Sequence, residues 1–314
     1  MQALVFTAAG RVELLDVADP QPGPGETAVT VHASGICGSE LHGFRSVGMR
    51  VPPLVMGHEF AGTTTAGNRV VINPLITCGT CDSCLRGQAQ VCRSRGLLGV
   101  NRAGGFAERV VVPDSAVHML PDEVSWSAAA LIEPLANGVH AWALAGDGDK
   151  VGVIGAGAIG LVCALVGRAR GVEVTISETT GPRRAIAERL GLNVTSELTG
   201  EYDVVFDAVG TPATRAASVD LCRPAGTAIW IGLAADEVRL NGNPMVRQEK
   251  RVLGSFAYSP ADFIESVAMA ATIDLTWTTC VPLSQAREMF YSLAEGNTTV
   301  AKAVIVPDSV MAAS

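Results

Sequence analysis

Four cysteines stand within fifteen residues as Cys78-x-x-Cys81-x-x-Cys84-x7-Cys92, in a polar, glycine-containing stretch. Four thiolates at this spacing can wrap one tetrahedral Zn²⁺ at about 2.3 Å per sulfur, and with every coordination position filled no room remains for water or substrate. Such an ion folds a lobe; an iron–sulfur cluster is the competing use of the same thiols. A second set is dispersed: Cys37 in Gly35-Ile36-Cys37-Gly38-Ser39-Glu40-Leu41-His42, the triplet Gly57-His58-Glu59, and Glu133 in Glu133-Pro134-Leu135-Ala136. Taken singly, these are equally a buried thiol, a core histidine and surface or capping acids. Taken together, Cys37, His58 and one of the two glutamates make three ligands for a catalytic zinc, whose open position lets an alcohol bind and lose its proton.

A third constellation is Gly155-Ala156-Gly157-Ala158-Ile159-Gly160, a G-x-G-x-x-G between an apolar run and a helical one. The glycines permit a tight turn and close backbone approach to a pyrophosphate, and the helix N-terminus at Ala158 and Ile159 faces the phosphates. Glu178 follows about twenty residues on, where a carboxylate accepts hydrogen bonds from the ribose hydroxyls of NAD and repels the 2′-phosphate of NADP. Arg183 and Arg184 stand close behind, either to receive that phosphate or as the solvated first turn of a helix. Val209, Gly210, Ser255 and Phe256 come after strands of the same region, where ligands of such folds bind, although Phe256 equally suits a core.

These residues need a scaffold, and the composition supplies one. The 314 residues are 48% apolar and 17% charged, a globular α/β balance and enough for about two domains of ordinary size. The net charge of −8, from 31 acids against 23 bases, offers no positive field for nucleic acid. The longest uncharged apolar run, 151–167, contains five glycines and falls short of a membrane span, so it reads as strand, turn and buried helix. The chain opens without a basic, apolar leader, which gives a cytoplasmic expectation and no membrane partner. Residues 1–133 are short β-rich runs broken by turns, a β-barrel-like pattern; from about 136 strands alternate with helices, a parallel doubly wound sheet. The last fifty or so residues suit either domain.

The Cys37 motif, Gly57-His58-Glu59, the four-cysteine lobe, Glu133-Pro134-Leu135-Ala136 and Gly155-x-Gly157-x-x-Gly160 occur here in the order seen in zinc-dependent medium-chain alcohol dehydrogenases, and the chain resembles that family over almost its whole length. The glutamate of Glu133-Pro134-Leu135 is most similar to the sorbitol, threonine and butanediol dehydrogenase branch. The resemblance implies a GroES-like catalytic domain at 1–136, completed by 260–314, around a Rossmann domain at 137–259, with the active site in the cleft between them. It implies one catalytic and one structural zinc and NAD, with NADP as the alternative. Cys37 and His58 would be ligands, Glu59 and Glu133 would share the remaining position, and Ser39 and His42 would carry the substrate proton outward. Lys302 would approach the cofactor pyrophosphate. The family habit also implies a homodimer or homotetramer.

Three departures accompany the resemblance. Glu40 stands where the family has aspartate, which alters how a carboxylate orients a zinc-bound histidine. The segment 61–67 is shorter than its counterpart, and so is the whole chain. The implied substrate is a secondary alcohol, namely a polyol, sugar alcohol or diol, exchanged with its ketone. A sugar phosphate or hydroxy acid is the second reading, with Arg45 and Arg50 as a clamp. From other classes come a non-catalytic NAD-binding sensor and a zinc-free quinone reductase relative, both disfavoured by the intact ligand set.

Overall fold

Val29, Val31 and Ala33 are buried and alternate with exposed Thr30 and half-buried His32 along the strand Glu26–Gly35, the period of a sheet with one face in a core. This strand is the hub of the first sheet. It pairs antiparallel with Glu59–Thr64, with Arg109–Pro113 and, at its end, with Ala303–Val306. The strands Arg69–Ile72 and Val117–Met119 extend the sheet on one side and Thr279–Pro282 on the other. Phe60, Val70, Ile72, Leu98, Val110 and Val112 close over Val29 and Val31 as one core. A second core joins Leu4, Phe6, Phe44, Met56 and Phe106 to Val281, Phe290 and Ile305 from the far end of the chain.

The other sheet is wholly parallel, in the order Asn193–Thr195, Glu173–Ser177, Lys150–Ile154, Tyr202–Asp207, Cys222–Trp230, Arg251–Gly254. The chain runs outward from Lys150–Ile154 in one direction and then returns to its other side. That reversal makes the ends of Lys150–Ile154 and Tyr202–Asp207 the switch point at which such sheets take ligands. The helix Ala158–Ala169 is buried from Gly160 to Gly167, as the continuous apolar run requires. Trp142 packs on Phe206 and donates its indole N–H to the Cys163 carbonyl at 2.8 Å.

The computed structural model describes residues 1–312, so the last two residues of the expected segment 260–314 lie outside the described residues. The chain divides into one unit of Met1–Glu133 with the chain from Ser266 on, and another of Pro134–Glu265. The helix Ile132–Ala145 carries the chain out of the first unit and contains Pro134 and Gly138. Pro134 is harmless there because it sits in the first turn, where its missing N–H has no helical partner. No helix of the described residues is long and apolar enough to cross a membrane. The shortened segment 61–67 forms a tight hairpin, in which Thr63 pairs with Arg69 and Gly67 N–H donates to Thr64 O.

His140 and Asp262, both buried, form the polar joint of the second unit. His140 Nδ1 lies 2.8 Å from Asp262 Oδ2, which also accepts from the Ser259 amide at 2.8 Å and its hydroxyl at 2.6 Å. Burial raises the Asp262 carboxyl, but these hydrogen bonds outweigh it and hold the group below its usual value. Replacing Asp262 by Asn should therefore cost about 1–3 kcal/mol in urea unfolding at neutral pH. The gap from wild type should persist above the unfolded aspartate value of about 3.9 and close as pH falls through the lower folded-state value.

Candidate functional site

The pairing register assembles the first cluster. Gly35 faces Glu59 across one pair of strands and Val304 across another, so the Cys37 turn, the His58-Glu59 corner and Lys302 meet at one end of the sheet. A Cβ at Gly35 would overlap Glu59 Oε2 and approach Lys302 Cε at 2.9 Å, which explains the glycine. Candidate ligand atoms of Cys37, His58 and Glu59 all lie within 4.8 Å of one another. Glu133, half-buried in the first turn of Ile132–Ala145, lies outside this set.

Glu40 is the fulcrum of the cluster. It is fully buried in the short helix Gly38–Gly43, and its Oε2 accepts the Cys37 amide at 3.0 Å while Oε1 accepts the Gly57 amide at 2.8 Å. The same Oε1 lies 3.1 Å from His58 Nδ1, which leaves Nε2 as the nitrogen for a metal. The longer side chain in the family's aspartate position thus still reaches the histidine. Burial raises the Glu40 carboxyl, but His58, the Cys37 amide and the field of Arg50 together bring it below its usual value. Burial pushes the His58 imidazole down, and Glu40 and Cys37 more than offset this, holding it well above the ordinary histidine value.

Lys302 joins these residues. Its ammonium is buried and ion-paired with Glu59 Oε2, so it belongs to this cluster and its charge is already engaged there. Burial lowers its pKa, but the charges of Glu59, Cys37 and Glu133 raise it beyond the usual lysine value. The cluster is anionic at heart, and its sulfur, nitrogen and oxygen donors suit a zinc ion. Ser39 is exposed beside it, with Oγ 3.4 Å from Cys37 Sγ, and His42 is exposed one turn on. Arg45 is exposed and donates to the Ala294 carbonyl at 2.8 Å; Arg50 is buried against the Ser39 carbonyl.

The four-cysteine lobe fits one tetrahedral ion closely. Sulfur separations are 3.9 Å for Cys78–Cys84, 3.5 Å for Cys81–Cys84, 3.8 Å for Cys81–Cys92 and 3.5 Å for Cys78–Cys92. Ligands about 2.3 Å from a central zinc stand about 3.8 Å apart in a tetrahedron. The thiols are too close together for a 2Fe–2S or 4Fe–4S cluster, where they would be divided between two or four irons. The Thr80 and Cys81 amides bring the Cys78 thiol down to about 6, whereas burial and the neighbouring thiols push Cys84 up to about 12.

In the second unit the glycine-rich turn stands where its residues require it. Gly155 has φ +94°, its amide donates to Ser177 O at 2.8 Å, and a side chain on Gly160 would overlap the Gly155 carbonyl. Gly157 caps the helix that begins with Ala158 and Ile159. Glu178 ends the neighbouring strand; its Oε2 accepts the Ala156 amide at 2.9 Å and its Oε1 the amide and hydroxyl of Thr180 at 2.8 and 2.7 Å. Burial raises its carboxyl, while Thr180, Ala156 and the nearby Arg183 charge lower it on balance. Arg184 instead donates to the carbonyls of Glu178 and Thr179.

Val209 and Gly210 follow the next strand, but both amides donate to Asp207 Oδ1 at 3.0 Å. This wholly buried aspartate was absent from the sequence reading; its only signal was an acid at the end of an apolar strand, Phe206-Asp207-Ala208. Ser255 is buried with its amide on Trp230 O, and Phe256 is 45% exposed.

Residues 23–122 match the model of the alcohol dehydrogenase GroES-like domain and residues 158–272 that of the zinc-binding dehydrogenase. D-altritol 5-dehydrogenase of Agrobacterium fabrum is 34% identical over 81% of this chain and 84% of its own. L-galactonate-5-dehydrogenase of Escherichia coli is 30% identical over 91% and 93%. Among solved structures, a putative zinc-binding dehydrogenase from Sinorhizobium meliloti bound to NADP superposes with a TM-score of 0.91 at 28% identity, covering 98% of this chain and 99% of that one.

Replacing Cys81 by Ser should leave the purified protein one zinc equivalent below wild type by atomic absorption. Its lobe should become protease-sensitive, since a structural zinc is itself folding free energy.

Proposed function

The chain belongs to the zinc-dependent medium-chain alcohol dehydrogenase family, and from that premise we propose that it oxidises a secondary alcohol of a polyol, sugar alcohol or diol with NAD⁺, and reduces the ketone in return. The observation that carries the reading is the convergence of Cys37, His58 and Glu59 within 4.8 Å, with the Ser39 hydroxyl alongside. When bound, zinc makes a coordinated hydroxyl more acidic and the nicotinamide accepts hydride.

The chain's own residues supply position and proton transfer. Glu40 fixes the His58 ring so that Nε2 is presented with Cys37 Sγ and Glu59 to the metal, while Lys302 balances the charge of Glu59. Glu133 stands outside this set and serves as the alternate carboxylate. Ser39 Oγ takes the hydroxyl proton, and His42, exposed one turn on, passes it to solvent. Gly155, Gly157, Ala158, Ile159 and Gly160 receive the pyrophosphate, and Glu178 the adenosine ribose, with Val209, Gly210, Ser255 and Phe256 bordering the nicotinamide half. The unit formed by Met1–Glu133 and the chain from Ser266 on is the catalytic domain, and Pro134–Glu265 the nucleotide domain.

A sugar phosphate or hydroxy acid is the second reading, although Arg45 and Arg50 each donate to a backbone carbonyl. A reducing cytoplasm suits cysteines that are free throughout. The edge strand Arg251–Gly254, with Leu253 39% exposed, is the surface through which a homodimer or homotetramer forms.

Initial rates of NADH formation on matched neutral polyols and their phosphates test the substrate class. Turnover is expected on the neutral members and should fall about 10²–10⁴-fold in Ser39→Ala; turnover confined to the phosphates would overturn the assignment. Glu178→Ala should raise KM for NAD⁺ and lower it for NADP⁺, because the carboxylate that repels a 2′-phosphate is gone while Arg183 stays. An unchanged ratio of kcat/KM for the two cofactors would refute that role.

A further inference from the structure

Arg50 is not a candidate ligand, yet its side chain is 4% exposed. A guanidinium is almost never buried without compensation, because its desolvation is so costly. Its Nη1 donates to the Ser39 carbonyl at 3.3 Å, and its Nε has no hydrogen-bond partner among the described residues. What it does touch is the helix Gly38–Gly43. A side chain on Gly43 would overlap Nη1, so the helix carries a glycine where the guanidinium lies against it. The same helix carries Glu40, whose carboxylate feels the Arg50 charge and grips both the Cys37 amide and His58.

We propose that Arg50 is a positioning residue of the metal centre: lodged against Gly43 and bonded to the Ser39 carbonyl, its guanidinium holds the helix Gly38–Gly43 in place and supplies the counter-charge behind Glu40, so that Cys37 and His58 are presented to one ion. This rests on Cys37, His58 and Glu59 being the zinc ligands. Arg50 acts on the metal through Glu40 and the helix and touches no reacting atom.

Chelator competition on the zinc-loaded protein tests it, with release from the four-cysteine lobe as an internal standard. Arg50→Met should weaken the Cys37 site about 10–100-fold, the usual effect of losing a partner behind a metal ligand, and leave the lobe unmoved. Arg50→Lys, which keeps the charge and loses the planar fork, should recover part of that loss. Gly43→Ala keeps every charge and favours the helix, but displaces the guanidinium; it should weaken the same site in the same direction, and it serves in place of Arg50→Met if that variant does not fold. Wild-type protein that releases zinc from the lobe alone would overturn the metal-centre reading beneath the proposal. Two ions in wild type, with Arg50→Met and Gly43→Ala curves that overlay it or lose both ions equally, would overturn the role of Arg50 while leaving the metal centre intact.

Discussion

A buried carboxylate must find donors for both oxygens or be neutralised, and Glu40 meets that demand with the Cys37 amide, the Gly57 amide and His58 Nδ1. The first closes the start of the helix Gly38–Gly43 and the other two fix the corner that leads into Glu59–Thr64. One side chain therefore locks together two segments about twenty residues apart, and the presentation of both Cys37 and His58 follows from it. The antiparallel register of Gly35 with Glu59 brings the two segments to the same end of the sheet, and the Glu40 bonds set the ring and the turn within that frame.

Charge balance around this anchor explains the neighbouring residues. Against the penalty of burial, Glu40 and Cys37 raise the affinity of His58 for its proton and Glu59, Cys37 and Glu133 raise that of Lys302, and a carboxylate-rich surrounding favours a divalent ion. Lys302 sits on Glu59 and compensates one carboxylate locally. The four-cysteine lobe solves the same electrostatic problem differently: four sulfurs crowd within 3.5–3.9 Å, a shell that would admit one ion and nothing else. Mixed donors with an exposed hydroxyl alongside suit chemistry, and a closed shell of thiolates suits architecture.

In the unit Pro134–Glu265, carboxylates at strand ends do the organising. Asp207 takes the amides of Val209 and Gly210 just beyond its own strand, and Glu178 takes those of Ala156, across from it, and Thr180, so both turns at the switch point are braced by an acid at a strand end. This bracing makes the turns rigid, with Ala158 and Ile159 half-buried at the helix start.

Much of this was legible from residue order. The spacing of Cys78, Cys81, Cys84 and Cys92, the glycines at 155, 157 and 160 and the change from turn-broken β runs to alternating strands and helices are local features; a loop around one ion, a tight turn and a period of burial are each written over a few residues. The choice of Glu59 over Glu133 for the three-residue set, the engagement of Lys302 by Glu59, the burial of Arg50 and the bracing role of Asp207 were not legible. Each depends on which strand lies beside which, and in what register, between residues tens to hundreds of positions apart. The residue types and their order by themselves determined the fold class and the chemistry available to this protein. Only the tertiary structure decided which charges meet, because pairing and burial are properties of neighbours in space, and a side chain's neighbours in space are set by the sheet rather than by its place in the chain.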